Sequence, residues 1–86
     1  MKNKIKIMGF YRRKRDGKEY VLYEENGRLL MTNGIFIWRD FVKKKYLPQC
    51  DKVEKIDLEA MTRNLEKYYP YYLLTEILKS DLLEVE

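Results

Sequence analysis

Residues Arg12 to Lys18 read RRKRDGK, five cationic side chains around an Asp16-Gly17 pair that holds the stretch's single acid. Lysine and arginine at this density suit one chemistry above others, the neutralisation of phosphates with release of their counterions. Asp-Gly between apolar runs is a hairpin signal, because a two-residue type I′ turn needs φ > 0 at both central positions. A two-stranded ribbon ending in such a tip has the width to enter a nucleic-acid groove or lie along a phosphate backbone. Charges also keep an exposed hairpin end soluble and unpaired, but five cations against one acid exceed that need. Arg12, Arg13, Lys14, Arg15 and Lys18 are therefore candidate nucleic-acid-binding residues.

Arg28 and Arg39 extend the set if their strands turn them outward beside Phe10 and Tyr23. Aromatic rings on an exposed sheet stack unpaired bases while arginines hold the backbone, which makes Phe10 and Tyr23 candidate base-stacking residues. The competing reading covers Phe10, Val21, Tyr23, Leu30 and Ile37 with a helix over 39–46 or with a second subunit in a homodimer. The YYPYY cluster places four tyrosines around Pro70, more than one core can take. Tyr69, Tyr71 and Tyr72 are thus candidate anchors for a protein partner.

Catalysis finds little footing. The chain has no histidine for general-base work, and Cys50 is its only cysteine. No glycine-rich phosphate cradle and no zinc or EF-hand spacing is present. The acidic pairs Glu24/Glu25 and Asp57/Glu59 fit a turn and a helix start. The expectation is a protein that is not an enzyme and uses no metal or cofactor.

The elements that must position these residues follow from pattern and turn chemistry. Besides Asp16-Gly17 there are Asn26-Gly27 and Asn33-Gly34, and the runs between them are β-branched and aromatic. They predict a meander with strands near 4–14, 19–25, 28–32 and 35–39. With two-residue loops, Lys14 faces Glu19 and Glu25 faces Arg28, two favourable charge pairs. The pleat then sorts Ile5, Ile7, Tyr11, Tyr20, Leu22, Leu29, Met31, Phe36 and Trp38 onto one face, taken as the core face. The other face collects Lys6, Met8, Phe10, Arg12, Lys14, Val21, Tyr23, Arg28, Leu30, Ile37 and Arg39. A short helix is expected over 40–47, where lysines 43–45 suit a helix C-terminus before Pro48; a helix over 35–46 with only three strands is the alternative. Asp57 caps a helical part over 57–83 that Pro70 interrupts and restarts. The predicted fold is a small two-layer α+β domain over 1–86. Its antiparallel meander of three or four strands fills 1–39, and the C-terminal helices pack on one face.

Charge is divided unevenly along the chain. Residues 1–46 carry 13 Lys/Arg against 5 Asp/Glu, and residues 47–86 carry 5 against 9, for a net charge of +4 overall. Such asymmetry points to a polyanionic partner for the basic half, or to a charge-steered protein partner. The charge-rich, glutamine-poor composition also resembles that of proteins from hot environments. No run approaches the ~20 apolar residues of a membrane span, so a soluble, cytoplasmic protein is expected. The first functional expectation is a small nucleic-acid-binding protein of regulatory or accessory type. The second is an inhibitor encoded by a virus or mobile element that binds a host protein such as a nuclease, defence or polymerase component.

Overall fold

The structure is a computed structural model that describes residues 4–39 and 42–84, with residues 81–84 described by backbone alone. One open antiparallel sheet contains β1 (Ile5–Arg13), β2 (Glu19–Glu25), β3 (Arg28–Thr32), β4 (Ile37–Trp38) and β5 (Cys50–Val53). The spatial order is β4-β3-β2-β1-β5, so the expected meander is present and a fifth strand returns to pair with β1. Two helices, α1 (Leu58–Tyr68) and α2 (Leu73–Glu84), follow the sheet and pack against it, giving the predicted α+β class. No helix among the described residues is long and apolar enough to cross a membrane.

The second hairpin forms as its sequence predicts. Asn26 and Gly27 take φ of 53° and 84°, and Glu25 pairs with Arg28. The first hairpin differs, because Arg12 and not Lys14 faces Glu19. Asp16 explains the wider loop: its carboxylate accepts two bonds from the Arg13 guanidinium, at 2.9 and 2.6 Å, and one from the Lys18 amide at 3.2 Å. The third loop is held by Asn33, whose side-chain oxygen accepts the amides of Ile35 and Phe36 at 2.9 and 2.8 Å.

A bulge in β1 decides which face meets the helices. Ile7 pairs with Tyr23 and Gly9 with Leu22, which leaves Met8 as the extra residue. Parity reverses there, so Ile5 and Ile7 join Phe10, Val21, Tyr23, Leu30 and Ile37 on one face. The two isoleucines make this the larger apolar face. The helices cover it with Met61, Leu65, Leu74 and Leu78. The expected orientation is thereby corrected: Tyr20, Leu22, Met31 and Trp38 lie on the other face, under Val42, Tyr46, Leu47 and Cys50.

That second cover is not the α-helix expected over 40–47. Residues 40 and 41 lie outside the described residues, Val42–Tyr46 forms one π-helical turn, and Leu47–Gln49 forms a 3-10 turn. Three adjacent like charges and a proline leave too few residues to repay helix nucleation. The alternative helix over 35–46 is likewise replaced, because Ile37 and Trp38 pair with Thr32 and Met31. Asp57 caps α1 as predicted, accepting the Ala60 amide at 3.1 Å. Pro70 does not open α2: the residue before a proline is pushed out of the α region, Tyr69 sits at φ −137° and ψ 62°, and α2 begins at Leu73.

Candidate nucleic-acid interface

The hairpin tip does not present its five cations equally. Arg12 lies on the helix side, where its guanidinium donates to Glu19 at 2.9 Å. The other oxygen of Glu19 accepts the Asp57 amide at 2.9 Å, so this pair ties the hairpin to the start of α1. Arg13 lies on the opposite side, bridged to Asp16 and stacked over the Tyr20 ring at 5.6 Å from its centroid. The bond from Arg13 holds the Asp16 carboxyl well below the usual carboxylate range. Lys14 reaches an exposed Asp51 only at 3.8 Å. Arg15 and Lys18 are exposed and form no ion pair among the described residues.

The fold brings a second cationic group to this tip. Lys43, Lys44 and Lys45 are exposed on the π-helical turn. Gln49 joins that turn to the hairpin: its side-chain amide donates to the Lys45 carbonyl at 2.8 Å, and its own carbonyl accepts the Lys14 amide at 2.9 Å. Lys14, Arg15, Lys18 and lysines 43–45 thus flank one short backbone bridge. Sequence reasoning saw the KKK run but assigned it to a helix C-terminus, because the pairing of β5 with β1 that folds it back is not visible locally.

Aromatic rings continue from this cationic group along the same face. Trp38 lies 5.7 Å from Tyr20, 5.8 Å from Tyr46 and 6.1 Å from Phe36, centroid to centroid. The Lys45 ammonium stands 5.8 Å from the Tyr46 centroid. Arg13, Tyr20, Met31, Trp38, Tyr46, Gln49 and Cys50 line a narrow cleft of about 30 Å³ between tip and rings. Burial pushes the Cys50 thiol up from its ordinary range.

The remaining predicted residues lie elsewhere. Tyr23 is 0% exposed and Phe10 packs against the helix-covered core, so the expected stacking pair is corrected to core residues. The bulge is the cause, since it enlarged their face into the one the helices bury. Arg28 and Arg39 stand at the far end of the sheet, where with Glu25, Asn26 and Leu30 they line a shallow recess of about 470 Å³. An adjoining recess of about 360 Å³ is lined by Glu25, Ile37, Arg39 and residues Tyr69, Pro70, Tyr71 and Tyr72. Of the three candidate anchors, only Tyr71 is open to a partner, at 96% exposed. Tyr69 donates to the Ile35 carbonyl at 2.9 Å. Tyr72 donates to the Glu25 carboxylate and shares a 2.9 Å hydrogen bond with the Tyr23 hydroxyl. Burial pushes Tyr23 up to about 12, and burial together with the bonds to Glu25 and Tyr23 raises Tyr72 as well.

Among the described residues no group of histidine, cysteine, aspartate or glutamate side chains could hold a metal ion. No family model, curated protein or solved structure matches this chain, so the chemistry of the face is read from its own geometry.

Proposed function

We propose that the protein is a small nucleic-acid-binding module that grips phosphates with Lys14, Arg15, Lys18 and lysines 43–45. The observation that carries this reading is the Gln49 bridge, which joins two cationic segments far apart in sequence with two hydrogen bonds of 2.8 and 2.9 Å. Two clusters of like charge held together in the absence of a ligand repel each other, and a polyanion relieves that repulsion. Arg12 and Arg13 take the supporting role, since their guanidiniums are already paired to Glu19 and Asp16.

Salt dependence tests the reading. Fluorescence anisotropy with labelled nucleic acid should show log K falling linearly with log [salt], by roughly 0.9 per phosphate contacted on duplex and about 0.7 on single strands. Replacing Lys43, Lys44 and Lys45 together with alanine should lower that slope by about 2–3. An affinity that does not change with salt, or a slope untouched by the triple replacement, would sink the proposal.

A second reading, a factor that docks on a host protein, draws on Tyr71. It is fully presented beside Pro70 at the mouth of a recess that also holds Arg39, and Arg28 lines the adjoining recess. An exposed tyrosine next to arginines is the composition of an interface anchor. If this reading holds, capture of a partner from the native host survives nuclease treatment and is lost with Tyr71→Ala.

A further inference from the structure

Phe36 is 61% exposed, and the loop that carries it is held by its own hydrogen bonds. The Asn33 side chain accepts the Phe36 amide at 2.8 Å, and the Thr32 hydroxyl donates to the Phe36 carbonyl at 2.7 Å. The Thr32 hydroxyl in turn accepts the Gly34 amide at 3.0 Å. Gly34 itself is pressed against α1: a Cβ there would meet the Asn64 Cβ at 3.0 Å and the Met61 sulfur at 3.2 Å. The chain therefore fixes the backbone that carries an exposed apolar ring, so the loop has lost its conformational freedom before any ligand arrives.

The surroundings of that ring narrow what it meets. Trp38 lies 6.1 Å away and is half-buried, Tyr46 stands behind Trp38, and Lys45 and Arg13 each lie over a ring of the same cluster. β4 is the edge strand, so among the described residues no further strand stands beyond it. Phe36 and Trp38 are tilted by 48° to one another, and an exposed ring with cations over neighbouring rings is an arrangement that stacks an unpaired base while the cations hold the sugar-phosphate backbone. Bases inside a duplex have no free face for such a ring.

We infer that Phe36 and Trp38 are the base-stacking platform of this protein and that its ligand is single-stranded nucleic acid. This rests on the proposed phosphate-gripping role of the lysine turn and tip, and it names the ligand class for that same face. The strand runs from the lysines onto the rings, with a base on Phe36.

The test uses Trp38, the only tryptophan of the chain, as the reporter. The full-length protein is titrated with oligothymidylate, oligouridylate and a DNA duplex at one low salt concentration, following both Trp emission and anisotropy of labelled probe. The inference expects quenching by one or both single strands, with the stronger of the two separating DNA from RNA. It further expects Phe36→Ala to weaken single-strand binding roughly tenfold, while Phe36→Tyr retains it and duplex binding is unchanged. Because Phe36 is exposed, neither change removes core packing, and circular dichroism of each variant verifies the fold. Equal binding of duplex and single strands with no quenching, and no effect of Phe36→Ala, overturns the platform while leaving the phosphate-gripping role standing. Failure of all three nucleic acids to bind overturns both.

Discussion

Tyr72 carries the most consequential single hydroxyl in the molecule. It donates to Glu25 and bonds the hydroxyl of Tyr23, which has no exposure to water at all. Replacing Tyr72 with phenylalanine leaves the buried Tyr23 hydroxyl without that partner while Glu25, on the rim of two open recesses, turns to water, and urea unfolding should register a loss of about 1–3 kcal/mol. Burial of the two tyrosines makes stability sensitive to alkali. An unfolded tyrosine ionises near 10, whereas burial holds Tyr23 neutral up to about 12. Its contribution is therefore complete below roughly pH 10 and is lost as pH rises through 12, on the order of 2–3 kcal/mol in all. Denaturant midpoints measured from pH 8 to 12 should fall steeply above 10, and less so in Tyr72→Phe, which removes one of the two phenols whose ionisation the fold opposes. None of this was legible in YYPYY. The cluster announced that some tyrosines must lie outside, but choosing Tyr71 over Tyr72 depended on where Glu25 and Tyr23 ended up in space.

At the scale of elements, the bulge at Met8 decides more than any other backbone feature. Alternation in KIKIMGFY reads the same with or without an extra residue, because methionine fits either face, so the sequence could not display the switch of parity. The turns were far more legible. Asn26-Gly27 adopts its left-handed pair of φ values, and Asp57 caps its helix, since both are decided by chemistry within four residues. β5 was hidden for the opposite reason: CDKV is short and polar, and it becomes a strand only because β1 offers an edge. Deleting Met8 removes the bulge but leaves Ile7, Gly9 and Phe10 in strict alternation opposite Tyr23, Leu22 and Val21. Ile5 and Ile7 should therefore stay on the helix-covered face, and the change should be small beside the roughly 1.5–3 kcal/mol that each buried apolar side chain contributes. Thermal denaturation should show one cooperative transition with a midpoint close to that of the intact chain. Gly34 is equally particular, with φ of 97° and no room for a methyl group beside α1. Gly34→Ala should destabilise by about 1–3 kcal/mol, and more than Gly17→Ala, whose added carbon meets nothing within 4 Å.

Across the whole molecule, which measures 32 × 29 × 21 Å, the layers are also charge layers. The helices hold most of the acidic half of the chain on one side of the sheet, and lysines 43–45 cover the other. On a heparin column, replacing Lys43, Lys44 and Lys45 should move elution to distinctly lower salt, whereas replacing Lys67 and Lys79 on the helices should barely shift it. The charge asymmetry was visible in the sequence, but its direction through the fold depended on which face the helices chose. One carboxylate ties the hairpin to the helices. Glu19 holds Arg12 with one oxygen and the Asp57 amide with the other, so the hairpin tip and the first turn of α1 share a single carboxylate. A phosphate bound at the tip would compete with Glu19 for Arg12, and a Glu19 released from the arginine would be freer to leave the amide as well. Occupancy at one end of the hairpin would then be coupled to fraying at the helix start, and hydrogen exchange at Asp57 would register a ligand that never touches the helix.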